Sequence, residues 1–568
     1  MGVAALRARG KAHSCSLLDI LAGKREPELL WGWPKRPHLE RQPGRRLDDV
    51  NHRNKFGQVF CRNPLGNDFS VEHHLIDDEG VGRTLVRERV GREGLAHPML
   101  GNVFDGSSPN HGFEVHLRAL RIGHHLSFSR RNHESYIGHF SVNIKHHLIP
   151  IATHDPRSPR AVVGIRPADL LRSVYVVGKT GTGKSTFLEN LILRSADAGF
   201  GAALIDPHGD LFSRVIENLP ARHWNRVAIL RPADAGRPVG VNLLGALAWG
   251  SRTLVASGVI EVFRTLWGPM LFGPRSEHVL RNAVLAVLEN PTQTLLGLLR
   301  FLIDAPYRAR ALSRITDPVV RIFWIKEFPS LGKSFVSEVT APVLNKLGAL
   351  ASPVVRRLVG QAAPRMDFRE LMDEGRILVV DLSGIGRDAA QFIGALIVTG
   401  LDLAAHARAG KPASERSPFL VVADEFHTYM TRSFVSLLSE GRKFGVCAAL
   451  AHQHAAQLDP EVRAAILGNA GTLAAFTLSA EDAKTISPEF APELSVEDLV
   501  RLRRHHLALR LLQNGEAKRP MIVRTLPPAP VADEKPKTLL RISAERYGRP
   551  AKQVDREISE ALGVSFPN

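Results

Sequence analysis

Eight consecutive residues, Gly178-Lys179-Thr180-Gly181-Thr182-Gly183-Lys184-Ser185, fit the pattern G-x-x-x-x-G-K-[ST] at every fixed position. The spacing serves phosphate chemistry. Glycines let the backbone curl until its N–H groups face phosphate oxygens, and a helix starting there adds its positive dipole end. Lys184 is expected to reach the β- and γ-phosphates, the Ser185 hydroxyl to take Mg²⁺, and Thr186 to complete the nucleotide-binding set. A second candidate pair, Asp424 and Glu425, ends an apolar run at 419–423. Asp424 is placed to hold Mg²⁺ through water, and Glu425 to orient and deprotonate an attacking water. Gln453 ends the next apolar run, where a polar amide can sense the γ-phosphate. Its neighbours His452 and His454 are read as bystanders, because no Cys/His spacing supports a metal site. Asp206 closes the run 202–205 and opens the turn Asp206-Pro207-His208-Gly209-Asp210. It is expected at the ligand edge of the sheet, on a strand beside the glycine-loop strand. ATP and Mg²⁺ are the expected cofactors.

Such groups need strands that all end at one edge. Residues 173–177 form a short apolar, β-branched run before the glycine loop, and Phe187, Leu188, Leu191 and Ile192 follow it at helical spacing. Further apolar runs at 162–165, 202–205, 226–230, 377–382, 419–423, 446–451, 473–478 and 507–512 predict an open α/β sheet. Helices are expected over 391–405 and over 433–443, the latter with Arg442 and Lys443 in its last turn. Between 246 and 365 the texture turns helical, with Val259, Val262, Phe263 and Leu266 on one face and Leu295, Leu298, Leu299 and Leu302 on another. Residues 335–358 suggest one or two more helices, interrupted by Pro342 and Pro353. The organisation read from this is a nucleotide-binding domain over 151–245 and 366–525, an inserted all-α domain over 246–365, and a Pro-rich linker with a helical tail over 526–568. The tail is expected to serve as a docking or cargo element.

Residues 1–150 form an unassigned basic, His-rich region, expected to be irregular or disordered. They hold 22 Lys/Arg against 16 Asp/Glu, and more than half of the 24 histidines, with pairs at His73-His74, His124-His125 and His146-His147. The whole chain of 568 residues carries a formal charge of +17, which points to a polyanionic partner, nucleic acid or an anionic membrane surface. Cys15, Cys61 and Cys447 lie too far apart for a disulfide framework or a metal motif, so a reducing cytosol is the expected compartment. No run of about 18 apolar residues occurs, so no integral membrane segment is expected. The nearest candidate, 392–405, is too short and contains Asp402.

Several stretches, in this order, resemble the conjugative DNA-transfer ATPases, the coupling proteins of type IV secretion, within the HerA–FtsK superfamily of P-loop motors. They are the loop at 178–185, Asp206-Pro207-His208-Gly209-Asp210-Leu211, Asn242-Leu243-Leu244, and Gly268-Pro269 with Arg281-Asn282. Ala423-Asp424-Glu425-Phe426, Glu440-Gly441-Arg442-Lys443-Phe444-Gly445, Ala451-His452-Gln453, Asn469-Ala470-Gly471-Thr472 and Ala480-Glu481-Asp482-Ala483 continue the series. The resemblance covers about 160–525 and implies a RecA-like P-loop NTPase core with an inserted all-α domain. It implies a homo-hexameric ring that pumps DNA by ATP hydrolysis, with relaxase or secretion-channel partners. It also implies a trans-acting arginine from a neighbouring subunit, which Arg442 matches by position; a helix C-terminal charge favoured by the dipole is the other reading. Coupling proteins usually carry N-terminal membrane helices, and none is visible here. The expected location is therefore the cytoplasm or the inner face of the membrane. A secretion ATPase or adaptor that handles protein cargo without a DNA track is the alternative.

Overall fold

The computed structural model describes residues 148–563 apart from 155–161, 249, 272, 291–292, 333–336, 338–339, 342–351 and 529–535, together with the backbone of several strands between 57 and 117. Two compact units divide the chain, residues 1–137 and 138–568.

In the first unit the strands β1 (Gly57–Arg62), β2 (Asp68–His74), β3 (Val81–Arg89), β4 (Pro98–Phe104) and β5 (Val115–Leu117) pair in sequence order. Every pairing is antiparallel, so the sheet is a meander. These strands lie within the stretch expected to be irregular or disordered. Their alternation is broken by Gly, Arg and His, which masks the period-two signal in the sequence. His73-His74 ends β2, while His124-His125 lies outside the described residues.

The second unit is built on one sheet. Its strands in chain order are β6 (Ile149–Thr153), β7 (Val162–Ile165), β8 (Val174–Val177), β9 (Gly201–Asp206), β10 (Val227–Leu230), β11 (Ile377–Asp381), β12 (Phe419–Ala423), β13 (Val446–His452), β14 (Thr472–Ala475), β15 (His506–Arg510) and β18 (Met521–Thr525). A small separate hairpin, β16 (Leu512–Gln513) with β17 (Glu516–Ala517), precedes β18. The spatial order is β10-β11-β9-β12-β13-β8-β14-β15-β18-β6-β7. From β10 through β14 all neighbours are parallel, and from β14 to β7 they are antiparallel. Strands β8 to β14 are buried at every residue, because helices cover both faces of a parallel sheet. The first strand of this sheet begins at Ile149, just before the predicted boundary at 151.

Alternate residues of the strands feed two separate cores. Val174 and Val176 face one, with Phe187, Leu188, Leu191 and Ile192 of α1 (Lys184–Asp197). Tyr175 and Val177 face the other, which runs on into the helices between β10 and β11. There α2 (Arg252–Leu271), α3 (Pro274–Leu288) and α4 (Leu295–Ile303) pack with Phe301 edge-on to Trp324. Thr294 caps α4 by accepting from the Gly297 N–H. Of the one or two helices expected over 335–358, α5 (Pro353–Val359) is described, and 342–351 lie outside the described residues.

The helix expected over 391–405 is longer, α6 (Arg387–Ala407). By length and composition the stretch Arg387–Gly410 could cross a membrane, but 78% of its apolar window is buried inside the fold. Asp402 is accommodated by its place on the helix, where it accepts from the Ser436 hydroxyl at 2.9 Å.

The helical tail is also more than an appendage. Helix α8 (Pro536–Tyr547) lies along β10, whose Ile229 N–H donates to Ser543 Oγ at 2.7 Å. Helix α9 (Ala551–Leu562) docks on the helical segment, where Arg357 makes a bidentate pair with Asp555 at 2.8 Å for both bonds.

Candidate functional site

The glycine loop leaves β8 at a switch point of the sheet. The crossover from β8 leads to β9 on one side, and β14 lies on the other. Open α/β sheets form their ligand crevice where connections diverge in this way. Gly181 sits at φ 74° with nothing within 4 Å of a built Cβ, so glycine is needed there for backbone conformation and the loop mouth stays open. Lys184 begins α1 and is buried. Its ammonium donates to the carbonyls of Gly178 at 2.6 Å and Lys179 at 3.2 Å, which holds the loop in a curl. The Thr182 hydroxyl adds a bond to the Lys179 carbonyl at 2.7 Å.

The loop is tied to its surroundings through specific backbone groups. Lys179 N–H donates to the Thr477 carbonyl at 2.9 Å, and Gly178 N–H to the His452 carbonyl at 3.4 Å. Thr180 Oγ1 donates to Gln453 Oε1 at 2.7 Å. The structure thus brings Gln453 to the loop, and the tether through Thr180 is a contact that sequence reasoning missed. Strand β13, which delivers Gln453, lies between β8 and β12.

Asp424 and Glu425 follow β12 directly and are both buried. Glu425 takes a left-handed backbone, φ 43°, and its N–H donates to Asp424 Oδ1 at 3.1 Å. Tyr429, fully buried, fixes the turn from behind: its hydroxyl bonds the carbonyls of Asp424 at 2.8 Å and Ile205 at 3.1 Å. Burial, then the charges of Glu425 and Asp206, raises the Asp424 carboxyl to about 7. Burial lowers the Lys184 ammonium, and Glu425 and Asp424 oppose that shift. The three acidic groups and the lysine therefore share one electrostatic environment.

Asp206 is not on a strand beside β8. Strand β9 lies beyond both β12 and β13, so the predicted adjacency is wrong. A fully apolar run has no feature that tells its place in a parallel sheet. Asp206 nevertheless ends at the same edge, and its carboxylate accepts from the N–H groups of His208 and Phe212, both at 2.8 Å. It holds the turn into the helix Asp210–Asn218.

The two flanking histidines differ. His452 Nε2 lies 2.5 Å from the Tyr175 hydroxyl, and burial holds the ring at about 3, so it is neutral. His454 Nδ1 lies 3.2 Å from Asp482 Oδ2. His427 Nδ1, 3.5 Å from Glu425 Oε2, had no signal in the sequence.

Ser185 is half-buried with no hydrogen bond from its hydroxyl among the described residues, so its oxygen is available to a ligand. Thr186 differs. Its hydroxyl accepts from Arg214 Nη2 at 3.0 Å, and Arg214 is in turn paired with the buried Glu189. Ser185 and Asp424 present hard oxygen donors in an acid-rich pocket, which fits Mg²⁺ shared with nucleotide phosphates. No group of three or more His, Cys, Asp or Glu among the described residues could hold a metal alone, and a phosphate-shared Mg²⁺ requires none.

Arg442 is not brought to this pocket. It lies in the turn Gly441–Phe444, after the helix α7 (Arg432–Glu440), and not within the helix as predicted. Gly441 ends the α-helical bonding early. The turn precedes β13, whereas His452 at the far end of β13 meets the loop. A strand of that length spans about 20 Å. Arg442 is exposed, and its side chain has no ion pair among the described residues.

No protein-family model matches the sequence, and no curated protein matches it. Solved structures do. The plasmid coupling protein TrwB in complex with the non-hydrolysable ATP analogue ADPNP superposes with a TM-score of 0.51 at 16% identity, over 69% of this chain and 92% of that one. The same protein with the GTP analogue GDPNP gives 0.48 at 17% identity, over 66% and 89% of the two chains. VirB4 of Thermoanaerobacter pseudethanolicus gives 0.45 at 14%, over 70% and 98%. At such identity the likeness is one of fold: the chain has an α/β architecture shared with the TrwB coupling-protein structure.

Proposed function

We propose that the chain is an ATP-hydrolysing DNA translocase of the conjugative-transfer type. The observation that carries the ATPase part is the convergence of Lys184, Asp424, Glu425 and Gln453 at one sheet edge, with a free Ser185 hydroxyl beside them. Residues 178–186 would bind the triphosphate, Ser185 and Asp424 would hold Mg²⁺, and Glu425 would take the proton of the attacking water. Bound Mg²⁺ supplies charge neutralisation across the β- and γ-phosphates. Gln453, tethered to Thr180, would report the γ-phosphate to β13.

The DNA part rests on the net charge of +17 and on the motif series around Asp206 and Arg442. Contacts to backbone phosphates without base reading make the binding salt-sensitive and sequence-tolerant. Arg442, remote from its own pocket, would complete a neighbour's site in a homo-hexamer, where it stabilises charge on the transferred phosphoryl group. Relaxase or secretion-channel proteins are the partners this role calls for.

The test is ATP hydrolysis by wild type and Lys184→Ala, with and without single- and double-stranded DNA over a range of salt. DNA-stimulated turnover lost in Lys184→Ala supports the proposal. Turnover that no DNA stimulates would transfer the site to a protein-handling ATPase. No turnover at all would overturn the enzymatic reading.

A further inference from the structure

The glycine loop has a second neighbour on its other flank. The carboxylates and Gln453 approach from β12 and β13 on one side of β8, while β14, β15 and β18 lie on the other. The turn at 501–506 enters β15 from that second side, with the sequence Arg501-Leu502-Arg503-Arg504-His505-His506. It is hung on the loop by a backbone bond, His505 N–H to the Thr182 carbonyl at 2.8 Å. His505 takes a left-handed backbone, φ 65°, to make it. Its carbonyl accepts from Thr525 N–H at 2.9 Å, which fixes the turn to β18.

The contact is close. A Cβ on Gly183 would lie 3.0 Å from His505 Nδ1, and that nitrogen is buried without a hydrogen-bond partner. Cations crowd around it. Arg504 precedes it in the turn, and Arg524 is the cross-strand partner of His506. Both arginines are exposed, and neither side chain has an ion pair among the described residues. Unpaired cations beside one another repel, so the arrangement gains stability when an anion or a π-face occupies the gap.

A nucleotide lying across the loop with its γ-phosphate toward Glu425 would direct its other end away from β12 and β13, toward β15 and β18. We propose that the turn at 503–506, with Arg524, is the subsite for the nucleoside end of a bound nucleoside di- or triphosphate. Arg504 covers the base or ribose with its guanidinium plane, and His505 offers its free ring nitrogen at the Gly183 side of the loop. This inference rests on the nucleotide-binding reading of the site and assigns residues that no motif in the sequence singles out.

The experiment is calorimetric titration of the full chain with Mg-ADP and with inorganic tripolyphosphate, which lacks a nucleoside. Wild type is compared with Arg504→Ala, His505→Asn and Lys184→Ala. Asn tolerates a left-handed backbone, so His505→Asn keeps the turn. The expected result is a roughly tenfold weaker ADP affinity in Arg504→Ala and His505→Asn, with tripolyphosphate binding unchanged. Lys184→Ala is expected to lose both ligands. Unchanged ADP affinity in both turn variants overturns the proposal, and so does an equal loss of both ligands in Arg504→Ala, which would make the turn a phosphate contact. Wild type that binds neither ligand overturns the underlying nucleotide reading instead.

Discussion

The two flanks of the loop strand β8 are built on opposite terms. Toward β13 and β12 the polar groups are held in place: Gln453 by Thr180, Asp424 by the Glu425 N–H, and the turn behind them by Tyr429. Toward β15 and β18, Arg504 and Arg524 are exposed with no ion pair among the described residues, and the turn is held through backbone groups, the Leu502 carbonyl and His505. Fixed groups suit a reaction, whose transition state tolerates little displacement. Adaptable cations suit a holding role, in which affinity and not geometry is at stake. The comparison therefore predicts that changes on the first flank act on turnover and changes on the second act on binding.

The largest effect should come from Glu425→Gln, which removes the proton acceptor and keeps the shape. Steady-state phosphate release is expected to vanish while ATP still binds by titration; normal turnover would mean that the first flank does not supply the base. Lys184→Ala is expected to abolish turnover too, with binding lost. Next is Arg442→Ala, expected to lower kcat by about 10³-fold with ATP affinity retained. Mixing it with Lys184→Ala protein should restore part of the activity, because one variant supplies the arginine and the other the loop; no recovery at any ratio would remove Arg442 from a neighbour's site. Thr180→Val should cost about tenfold in kcat, the worth of one hydrogen bond, with little change in KM. If KM rises instead, the Gln453 tether belongs to the holding side.

A remote group gives the smallest effect and serves as a control on both flanks. The Asp402 carboxylate, 3.4 Å from His406 Nδ1, raises that imidazole to about 9. Its folded value exceeds the usual 6.5, so the pair stabilises the fold fully below 6.5, and the gain is lost as pH rises through about 9. Thermal melts of wild type across that window should fall relative to His406→Gln, with nucleotide affinity unaffected.

The first flank was largely legible in the sequence because its groups sit where strands stop. A phosphate loop after 173–177 and an Asp-Glu pair after 419–423 each carry an apolar run that declares the strand and a polar residue that declares its end. The order of the strands was not legible, and Asp206 was placed beside β8 when two strands intervene. Buried runs such as 202–205 and 446–451 look alike because both of their faces are covered. The second flank was invisible for another reason. Residues 501–506, Arg-Leu-Arg-Arg-His-His, fit no motif, and what brings them to the loop is a backbone bond made at a left-handed residue. Neither side-chain type nor spacing records such a contact. The tail within 526–568 is legible as helical, but its docking depends on partners far away in the chain, Arg357 and Ile229.

That docking has a consequence for how the molecule meets others. Strand β10 is the outermost parallel strand, and an open strand edge offers its amides to any passing chain. Here helix α8 lies over it and Ser543 takes up the Ile229 amide. The same pair of helices reaches across to Arg357, so the lid on the edge is riveted at two places. Removing it would convert a quiet border into an adhesive one, and the protein would be expected to associate through strands before it lost its fold.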